Sequence, residues 1–267
     1  MVLDYSVIVP VFNGEKFIVE TLLSIEAQTL LPFEIIVVDD CSTDSTAFLV
    51  EEFAANSHAP VKFIQIDANS GSAAKPRNKG LEVVGDVQYL AFCDADDIWN
   101  VNKMSMQLKF MEQKKSIFSF AKVKYFNDSS EITQKKLPSQ TYRNLGIKDF
   151  RFDNCVKSCS TAVISKAIIP YCNFPEGNSY LGVEDYCCWL GILSRVDRVD
   201  QIKSELTFYR QHPGSISSSK LKCIMYRFNS FGYKKRIFAE NSIYLPNFIV
   251  SETIYILKQL FSKLCGR

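Results

Sequence analysis

A short apolar segment that ends in clustered carboxylates limits most strongly what this chain can fold into. Residues 89–93 are apolar, and Asp94, Asp96 and Asp97 follow within four positions. An apolar run of this length between helical patterns is typical of a buried parallel strand. Open α/β sheets bind ligands at the carboxyl ends of their strands, so we expect a ligand site here. The Asp-x-Asp spacing suits Mg²⁺ or Mn²⁺; the alternative is a solvated acidic turn before the next helix.

Three further apolar runs precede this strand and alternate with helical patterns. The predicted strands span residues 5–12, 33–38, 61–66 and 89–93, and the predicted helices span residues 15–28, a stretch ending near 55, and 75–84. Asn13 is predicted to cap the first helix. This alternation predicts an α/β fold with a Rossmann-like, mostly parallel sheet and helices on both faces.

The second half of the chain is less regular. Helices are predicted at residues 100–114 and 184–193, strands at residues 117–126, 161–164 and 206–210, and an irregular polar segment at residues 127–145. We divide the chain into a first half (1–103), a second half of the same domain (104–219), and a basic, amphipathic helical tail (220–267).

Composition excludes several classes of protein. The net charge of 267 residues is only +2, which does not favour nucleic-acid binding. Nine cysteines without a Cys-x-x-Cys pair indicate free thiols in a reducing cytosol. No signal peptide and no uninterrupted apolar run of about 18 residues is present, so we expect a cytoplasmic protein without a transmembrane helix.

The tail has its own charge and pattern. From residue 220 onward it contains nine Lys or Arg and two Glu, and residues 245–264 place apolar side chains at helical spacing with Lys258 and Lys263 between them. Such a helix is suited to the anionic inner face of a plasma membrane. Packing against the core is an equally good interpretation.

Other residues at predicted strand ends can bind a ligand. Asp40 ends the second strand, where a carboxylate can accept hydrogen bonds from a ribose or from uracil, or can cap a helix. Phe12 ends the first strand and can stack on a base, or belong to the core. Arg77 lies in the first turn of the helix after a Gly/Ser loop, where its guanidinium is suited to phosphate.

Two later segments supply candidates for acid–base and metal chemistry. Glu184 and Asp185 begin a helix, and a carboxylate there can deprotonate an acceptor hydroxyl, or can simply favour the helix dipole. His212 lies in a polar turn and can serve as a further metal ligand or contact a diphosphate, or be an ordinary surface residue. Arg210, two positions earlier, can neutralise charge on a leaving group.

Four motifs in order resemble glycosyltransferase family 2, the nucleotide-sugar-dependent enzymes with the GT-A fold. Ser-Val-Ile-Val-Pro-Val-Phe-Asn-Gly (6–14) resembles the family's first strand and turn, and Phe-Glu-Ile-Ile-Val-Val-Asp-Asp-Cys-Ser-Thr-Asp (33–44) its second strand and loop. Asn-Ser-Gly-Ser-Ala-Ala-Lys-Pro-Arg-Asn-Lys-Gly (69–80) resembles its Gly/Ser segment, although Lys75-Pro76 departs from the small residues usual there. Phe-Cys-Asp-Ala-Asp-Asp-Ile-Trp (92–99) resembles its metal motif.

The resemblance implies a role for each matching position. Asp185 would be the catalytic base and Asp96 the ligand of a Mn²⁺ or Mg²⁺ ion. The nucleotide-sugar would be held by residues from the strand ends and the later motifs: Pro10, Phe12, Asp40, Arg77, Asp94, Glu184 and His212.

The resemblance also implies an activity and partners, with residues 1–103 as the nucleotide-sugar-binding half and residues 104–219 as the acceptor-binding and catalytic half of the same domain. The chain would move one sugar from a nucleotide-sugar, with UDP expected, to an acceptor hydroxyl with inversion. A lipid-linked oligosaccharide in bacterial O-antigen, capsule or exopolysaccharide synthesis is the expected acceptor. The Gln-x-x-Arg-Trp motif of processive synthases is absent after residue 185. The alternatives are a sugar-1-phosphate nucleotidyltransferase, although its phosphate loop is missing after the first strand, and a non-catalytic carbohydrate-binding relative.

Overall fold

A mixed β-sheet with helices on its two faces forms the body of the protein. The computed structural model describes residues 3–132, 141–151, 153–213, 220–241 and 243. In this part of the chain the strands are β1 (Tyr5–Val11), β2 (Glu34–Asp39), β3 (Val61–Gln65), β4 (Tyr89–Phe92), β5 (Ile98–Trp99), β6 (Phe118–Phe126), β7 (Tyr142–Leu145), β8 (Ala162–Ser165) and β9 (Val199–Arg210). The α-helices are α1 (Ile18–Glu26), α2 (Thr46–Asn56), α3 (Ala74–Val83), α4 (Lys103–Lys114), α5 (Glu184–Leu193) and α6 (Lys220–Glu240).

The first half of the sheet is parallel, as the alternating pattern predicts. β1 pairs with β2 on one side and with β4 on the other, and β3 adds to the outer edge of β2, all in parallel. Their carboxyl ends therefore lie on one rim of the sheet. The residues after β1, β2 and β4, and the loop before α3, all reach this rim.

The second half mixes antiparallel pairs with one parallel pair, β6 with β9, and the full order is β3-β2-β1-β4-β8-β6-β9-β5, with β7 paired to β9. β8 runs antiparallel to both β4 and β6. Two predictions were wrong here. Residues 142–145 form β7 rather than irregular chain, because their backbone pairs with residues 199–202 of β9 although three of their four side chains are exposed. β9 begins at Val199 and not near residue 206, because β6 and β7 extend its pairing.

Alternating side chains of the parallel strands divide the core between the two faces of the sheet. In β1, Val7 and Val9 pack into one buried cluster, whereas Ile8 packs into the other. Every residue of β1 and β2 is buried, which explains the continuous apolar runs in the sequence.

The helix after β1 begins later than its sequence pattern indicates. α1 starts at Ile18. We predicted that Asn13 caps this helix, and that prediction was wrong. Asn13 instead adopts a positive φ of 48° and its side-chain oxygen accepts a hydrogen bond from the Thr43 backbone N–H at 2.9 Å. Asn13 thus links the loop after β1 to the loop after β2. A positive φ is more common for Asn than for most other residues with a side chain.

The last helix of the described residues, α6, packs on α5, the helix that begins with Glu184 and Asp185. Its buried residues Ser230, Lys234, Ile237 and Phe238 lie at helical spacing. In the described part of the chain, no helix combines the length and the apolar character needed to cross a membrane. The amphipathic segment predicted at residues 245–264 lies outside the described residues.

Candidate active site

A cleft of about 800 Å³ opens at the rim where the parallel strands end. It brings together segments that are far apart in the sequence: the ends of β1 and β4, the first turns of α3 and α5, and the turn after β9. Seven of the nine predicted site residues line it, namely Pro10, Phe12, Arg77, Asp94, Asp96, Glu184 and His212. Asp40 and Asp185 lie outside this lining.

Pro10 and Phe12 form the wall contributed by β1. Pro10 is buried within the strand, whereas the Phe12 ring is 49% exposed and faces the cleft. A large aromatic side chain left half exposed in a cleft offers a stacking surface for a planar ligand. The exposure of the ring is consistent with base stacking, and Phe12 is not a core residue.

Asp40 organises the loop that precedes α3. Its buried carboxylate accepts hydrogen bonds from the Ser70 backbone N–H at 3.0 Å and from the Ser70 hydroxyl at 3.0 Å. The Asn69 side-chain amide donates to the Asp40 backbone carbonyl at 3.1 Å. The carboxylate thus positions the Gly/Ser loop, and its contact with a ribose stays a prediction.

Arg77 joins the two acidic motifs. Its Nη2 donates to Asp94 Oδ1 at 2.6 Å and its Nη1 to Glu184 Oε1 at 3.3 Å, and its side chain is 5% exposed. Its guanidinium also lies 5.2 Å from the Phe174 ring centroid. A buried guanidinium between two carboxylates fixes the position of both. This ion bridge holds the start of α5 against the acidic loop after β4.

Two atoms of this bridge remain without a hydrogen-bonding partner. Arg77 Nε and Glu184 Oε2 are both buried and make no hydrogen bond in the structure. A buried polar atom without a partner costs free energy, on the order of 1–3 kcal/mol. Such orphaned atoms at the wall of a cleft are suited to a polar ligand.

Asp96 and His212 form the pair best suited to a metal ion. Asp96 Oδ2 and His212 Nε2 lie 3.0 Å apart, and their side chains are 34% and 24% exposed. Burial and the charge of Asp94 raise the pKa of the Asp96 carboxyl, while His212 opposes the shift. No group of three or more His, Cys, Asp or Glu side chains suited to a metal occurs among the described residues. The protein therefore offers two donors, which fits a cation that takes its other ligands from phosphate and water.

Asp97, the third carboxylate of the motif, has a structural role and does not face the cleft. It is fully buried and accepts hydrogen bonds from the hydroxyls of Ser158 at 2.9 Å and Ser160 at 2.6 Å. Its other oxygen accepts from the Arg210 backbone N–H at 3.2 Å. Asp97 ties the acidic loop to β9 and to the segment before β8, which leaves Asp94 and Asp96 to face the cleft.

The suggestion that Arg210 neutralises a leaving group does not match its position. Arg210 is 4% exposed and does not line the cleft. Its guanidinium donates to the Asp96 carbonyl at 2.9 Å and to Glu20 Oε2 at 2.5 Å. These protein acceptors turn the side chain away from the ligand space.

Asp185 stands beside Glu184 in the first turn of α5 and is half-buried. Asn154 Nδ2 donates to its Oδ2 at 3.1 Å. The pKa of the Asp185 carboxyl is raised to about 7, first by burial and then by the charge of Glu184, against the opposing charge of Arg77. A carboxyl group with a pKa near neutrality is suited to proton transfer.

The sequence interpretation missed two residues of the site. Lys16, in the turn after β1, is an exposed cation of the cleft lining, and its position after Asn13 and Gly14 was a usable signal. Asn154, the hydrogen-bond donor to Asp185, lies 31 positions before it in an irregular segment. No local pattern marks such a contact.

Comparison with known proteins identifies what this arrangement is similar to. Residues 6–170 match the profile of the family described as "Glycosyl transferase family 2". The chain is 31% identical to the UDP-Glc:alpha-D-GlcNAc-diphosphoundecaprenol beta-1,3-glucosyltransferase WfgD of Escherichia coli, over 92% of this chain and 93% of that protein. It is 32% identical to WfaP of Escherichia coli, which carries the same activity name, over 81% of each protein.

Solved structures share the fold. A fragment of TarS from S. aureus in complex with UDP-GlcNAc superimposes with a TM-score of 0.67 at 24% identity, covering 89% of this chain and 71% of that one. The mannosyltransferase PcManGT of Pyrobaculum calidifontis, in complex with GDP-Man and Mn2+, gives 0.66 at 17% identity, covering 87% and 64%. These matches confirm the predicted α/β GT-A fold.

Proposed function

Because this chain belongs to glycosyltransferase family 2 and is a glycosyltransferase, we propose that it transfers one sugar from a UDP-sugar to an acceptor hydroxyl with inversion. One observation carries the proposal. The Arg77 bridge joins Asp94 and Glu184 across a single cleft, so the acidic loop after β4 and the first turn of α5 act on the same ligand. Donor binding and proton removal then belong to one site.

The donor is proposed to lie along the strand ends. Phe12, with Pro10 behind it, stacks on the base, and Asp40 accepts a hydrogen bond from the ribose. Arg77, Asp94 and Glu184 contact the phosphates and the sugar, and the orphaned Arg77 Nε and Glu184 Oε2 support such contacts. WfgD and WfaP are named for UDP-Glc, and TarS is bound to UDP-GlcNAc, which supports UDP as the nucleotide.

The charge of the cleft calls for a cation. The described lining contains five carboxylates (Glu15, Asp44, Asp94, Asp96 and Glu184) and two basic side chains of Lys or Arg, Lys16 and Arg77. A diphosphate entering this cleft meets an excess of negative charge. We propose that Asp96, with His212, holds Mn²⁺ or Mg²⁺; when bound, the ion supplies Lewis-acid stabilisation of negative charge on the diphosphate.

Asp185 is proposed as the catalytic base. Its ionised carboxylate accepts the proton of the acceptor hydroxyl as that oxygen attacks the anomeric carbon from the face opposite the leaving diphosphate. A single displacement of this kind inverts the configuration. Asn154 and the first turn of α5 hold the carboxylate in place, and general-base catalysis contributes about 10²–10⁴-fold.

The proposed acceptor is a lipid-linked saccharide of bacterial O-antigen, capsule or exopolysaccharide synthesis. WfgD and WfaP are named for an acceptor in which GlcNAc is carried by diphosphoundecaprenol. Such an acceptor resides in a membrane, so the protein is proposed to work in the cytoplasm at the inner face of the plasma membrane. The basic tail beyond residue 220 is the proposed peripheral contact.

The test is a panel of UDP-sugars, each incubated with Mn²⁺ and a polyprenyl-diphosphate saccharide, and scored by acceptor-dependent release of UDP. Release with one donor is expected. Asp185→Asn should lower turnover about 10²–10⁴-fold while UDP binding stays intact, since the amide cannot take the proton. Near-wild-type turnover of this variant would remove Asp185 from the mechanism. Formation of a nucleotide-sugar from a sugar-1-phosphate would instead indicate a nucleotidyltransferase, and saccharide binding without any UDP release a binding protein.

A further inference from the structure

Arg210 is a buried cation at the end of β9, two residues before His212. It is 4% exposed, so each polar atom of its guanidinium needs a protein partner. The partners come from three other segments of the chain, two of which, the start of α1 and the acidic loop after β4, contribute residues to the cleft or its edge.

The first set of contacts fixes the acidic loop. Arg210 Nε donates to the backbone carbonyl of Asp96 at 2.9 Å, and the Arg210 backbone N–H donates to Asp97 Oδ1 at 3.2 Å. Backbone and side chain of one residue thus hold two consecutive positions of the loop. The end of β9 and the Asp96 backbone become a single unit.

The second set fixes the segments on the other side. Arg210 Nη2 donates to Glu20 Oε2 of α1 at 2.5 Å, and Nη1 donates to Ser129 Oγ at 3.3 Å. The guanidinium lies between two aromatic rings, with Phe17 at 4.5 Å and Phe126 at 4.6 Å from its carbon. A planar, stacked guanidinium with a forked set of donors is locked in orientation.

The Phe17 ring packs between the Arg210 guanidinium and the His212 ring. The centroids of the Phe17 and His212 rings lie 4.9 Å apart. Arg210 therefore acts on both members of the Asp96–His212 pair. It contacts the Asp96 backbone directly, and it is linked to His212 through the Phe17 ring and through the intervening chain.

We propose that Arg210 is a positioning residue that sets the separation of Asp96 and His212 for a divalent cation. This inference rests on the metal role given to that pair in the proposed function. Groups behind the ligands of a metal typically alter its affinity by about 10–100-fold when they are replaced. Lysine keeps the charge of Arg210 but cannot reproduce the fork or the stacked plane.

The test measures Mn²⁺ binding directly, by electron paramagnetic resonance titration of free Mn²⁺ in the presence of saturating UDP. Arg210→Lys should weaken Mn²⁺ binding about tenfold or more relative to wild type. Arg198→Lys is the matched control, because Arg198 precedes the other end of β9 and its side chain is 52% exposed. The control should bind Mn²⁺ as wild type does. Urea unfolding of both variants separates loss of stability from loss of metal affinity.

Wild-type Mn²⁺ affinity in a folded Arg210→Lys protein would overturn the inference and leave the proposed function intact. Failure of the wild-type protein itself to bind Mn²⁺ with UDP would overturn the proposed metal role and this inference together. Should Arg210→Lys not fold, Glu20→Gln takes its place, because it removes the charged partner while the contact with Asp96 is kept. A weaker Mn²⁺ affinity is then expected, and an unchanged one contradicts the role of Arg210.

Discussion

The raised pKa of Asp185 gives a sharp prediction for the pH dependence of the reaction. With a pKa of about 7, the carboxyl group is ionised in half of the protein at pH 7. At pH 5 the ionised fraction is about 1%, so kcat/KM for the donor should fall about 50-fold between pH 7 and pH 5. An Asp with its ordinary pKa would be about 90% ionised at pH 5, and kcat/KM would barely change.

The physical origin of this shift can be tested at Asn154. Asn154→Asp replaces the donor to Asp185 Oδ2 with a second carboxylate of the same shape, at a contact of 3.1 Å. A like charge at that distance favours the protonated form of Asp185, so the acidic limb should move upward by about one pH unit. Asn56→Asp, at the exposed end of α2, is the matched control and should leave the limb in place.

The assay is UDP release at low donor concentration and fixed acceptor concentration, from pH 5 to pH 8.5. kcat/KM for the donor reports ionisations of the free enzyme. A profile that is flat from pH 5 to pH 7 would refute the raised pKa. An acidic limb that stays at the same pH in Asn154→Asp would assign it to another group of the site.

Three further predictions concern stability and are measured by urea unfolding. Arg77→Met should lower the free energy of unfolding by about 3–5 kcal/mol at pH 7, because it strands the two carboxylates that Arg77 bridges; a loss below 1 kcal/mol would contradict the bridge. Gly80→Ala should lower the free energy of unfolding by about 1–3 kcal/mol, because the added Cβ would lie 2.7 Å from Ile8 Cγ2. Gly232→Ala is the matched control: its added Cβ would meet no atom within 4 Å, so the substitution should stabilise α6 by about 0.5–1 kcal/mol. Burial lowers the pKa of Lys103 to about 7, so the contribution of Lys103 to stability rises with pH between pH 7 and about 10, whereas buried thiols whose pKa is raised contribute a fall with pH near the upper end of that window. Lys103→Met should remove this rise and add about 2 kcal/mol at pH 7 or below; an equal effect at pH 6 and pH 9 would refute the pKa shift.

The parallel half of the fold could be predicted because its signals are local. β1, β2 and β4 are buried on both faces, so each appears as a short apolar run, and each is followed by an amphipathic segment. The mixed half depends on distant pairing instead, both antiparallel and, between β6 and β9, parallel. The mostly exposed strand β7 exists because residues more than 50 positions later in β9 complete its hydrogen bonds, and its short sequence alone does not indicate this.

The residues of the site can be divided in the same way, into those that local sequence indicates and those that only the fold brings together. Asp94 and Asp96 could be found from one acidic motif after one strand. Arg77 and His212 were candidates because of the Gly/Ser loop and the polar turn in which they lie, and the family resemblance added their expected roles. The contacts that give them their geometry were not predictable. Arg210 reaches the Asp96 carbonyl across 114 positions of sequence, and only the folded chain brings them together.

The most direct test of the account is calorimetric titration of UDP into the protein with and without Mn²⁺, for wild type, Asp96→Asn and Asp185→Asn. We predict that Mn²⁺ tightens UDP binding to wild type and to Asp185→Asn by about tenfold or more, and that Asp96→Asn loses this effect of the metal. The same metal-dependent tightening in Asp96→Asn as in wild type would contradict the assignment of the cation to Asp96, and with it the proposed donor site.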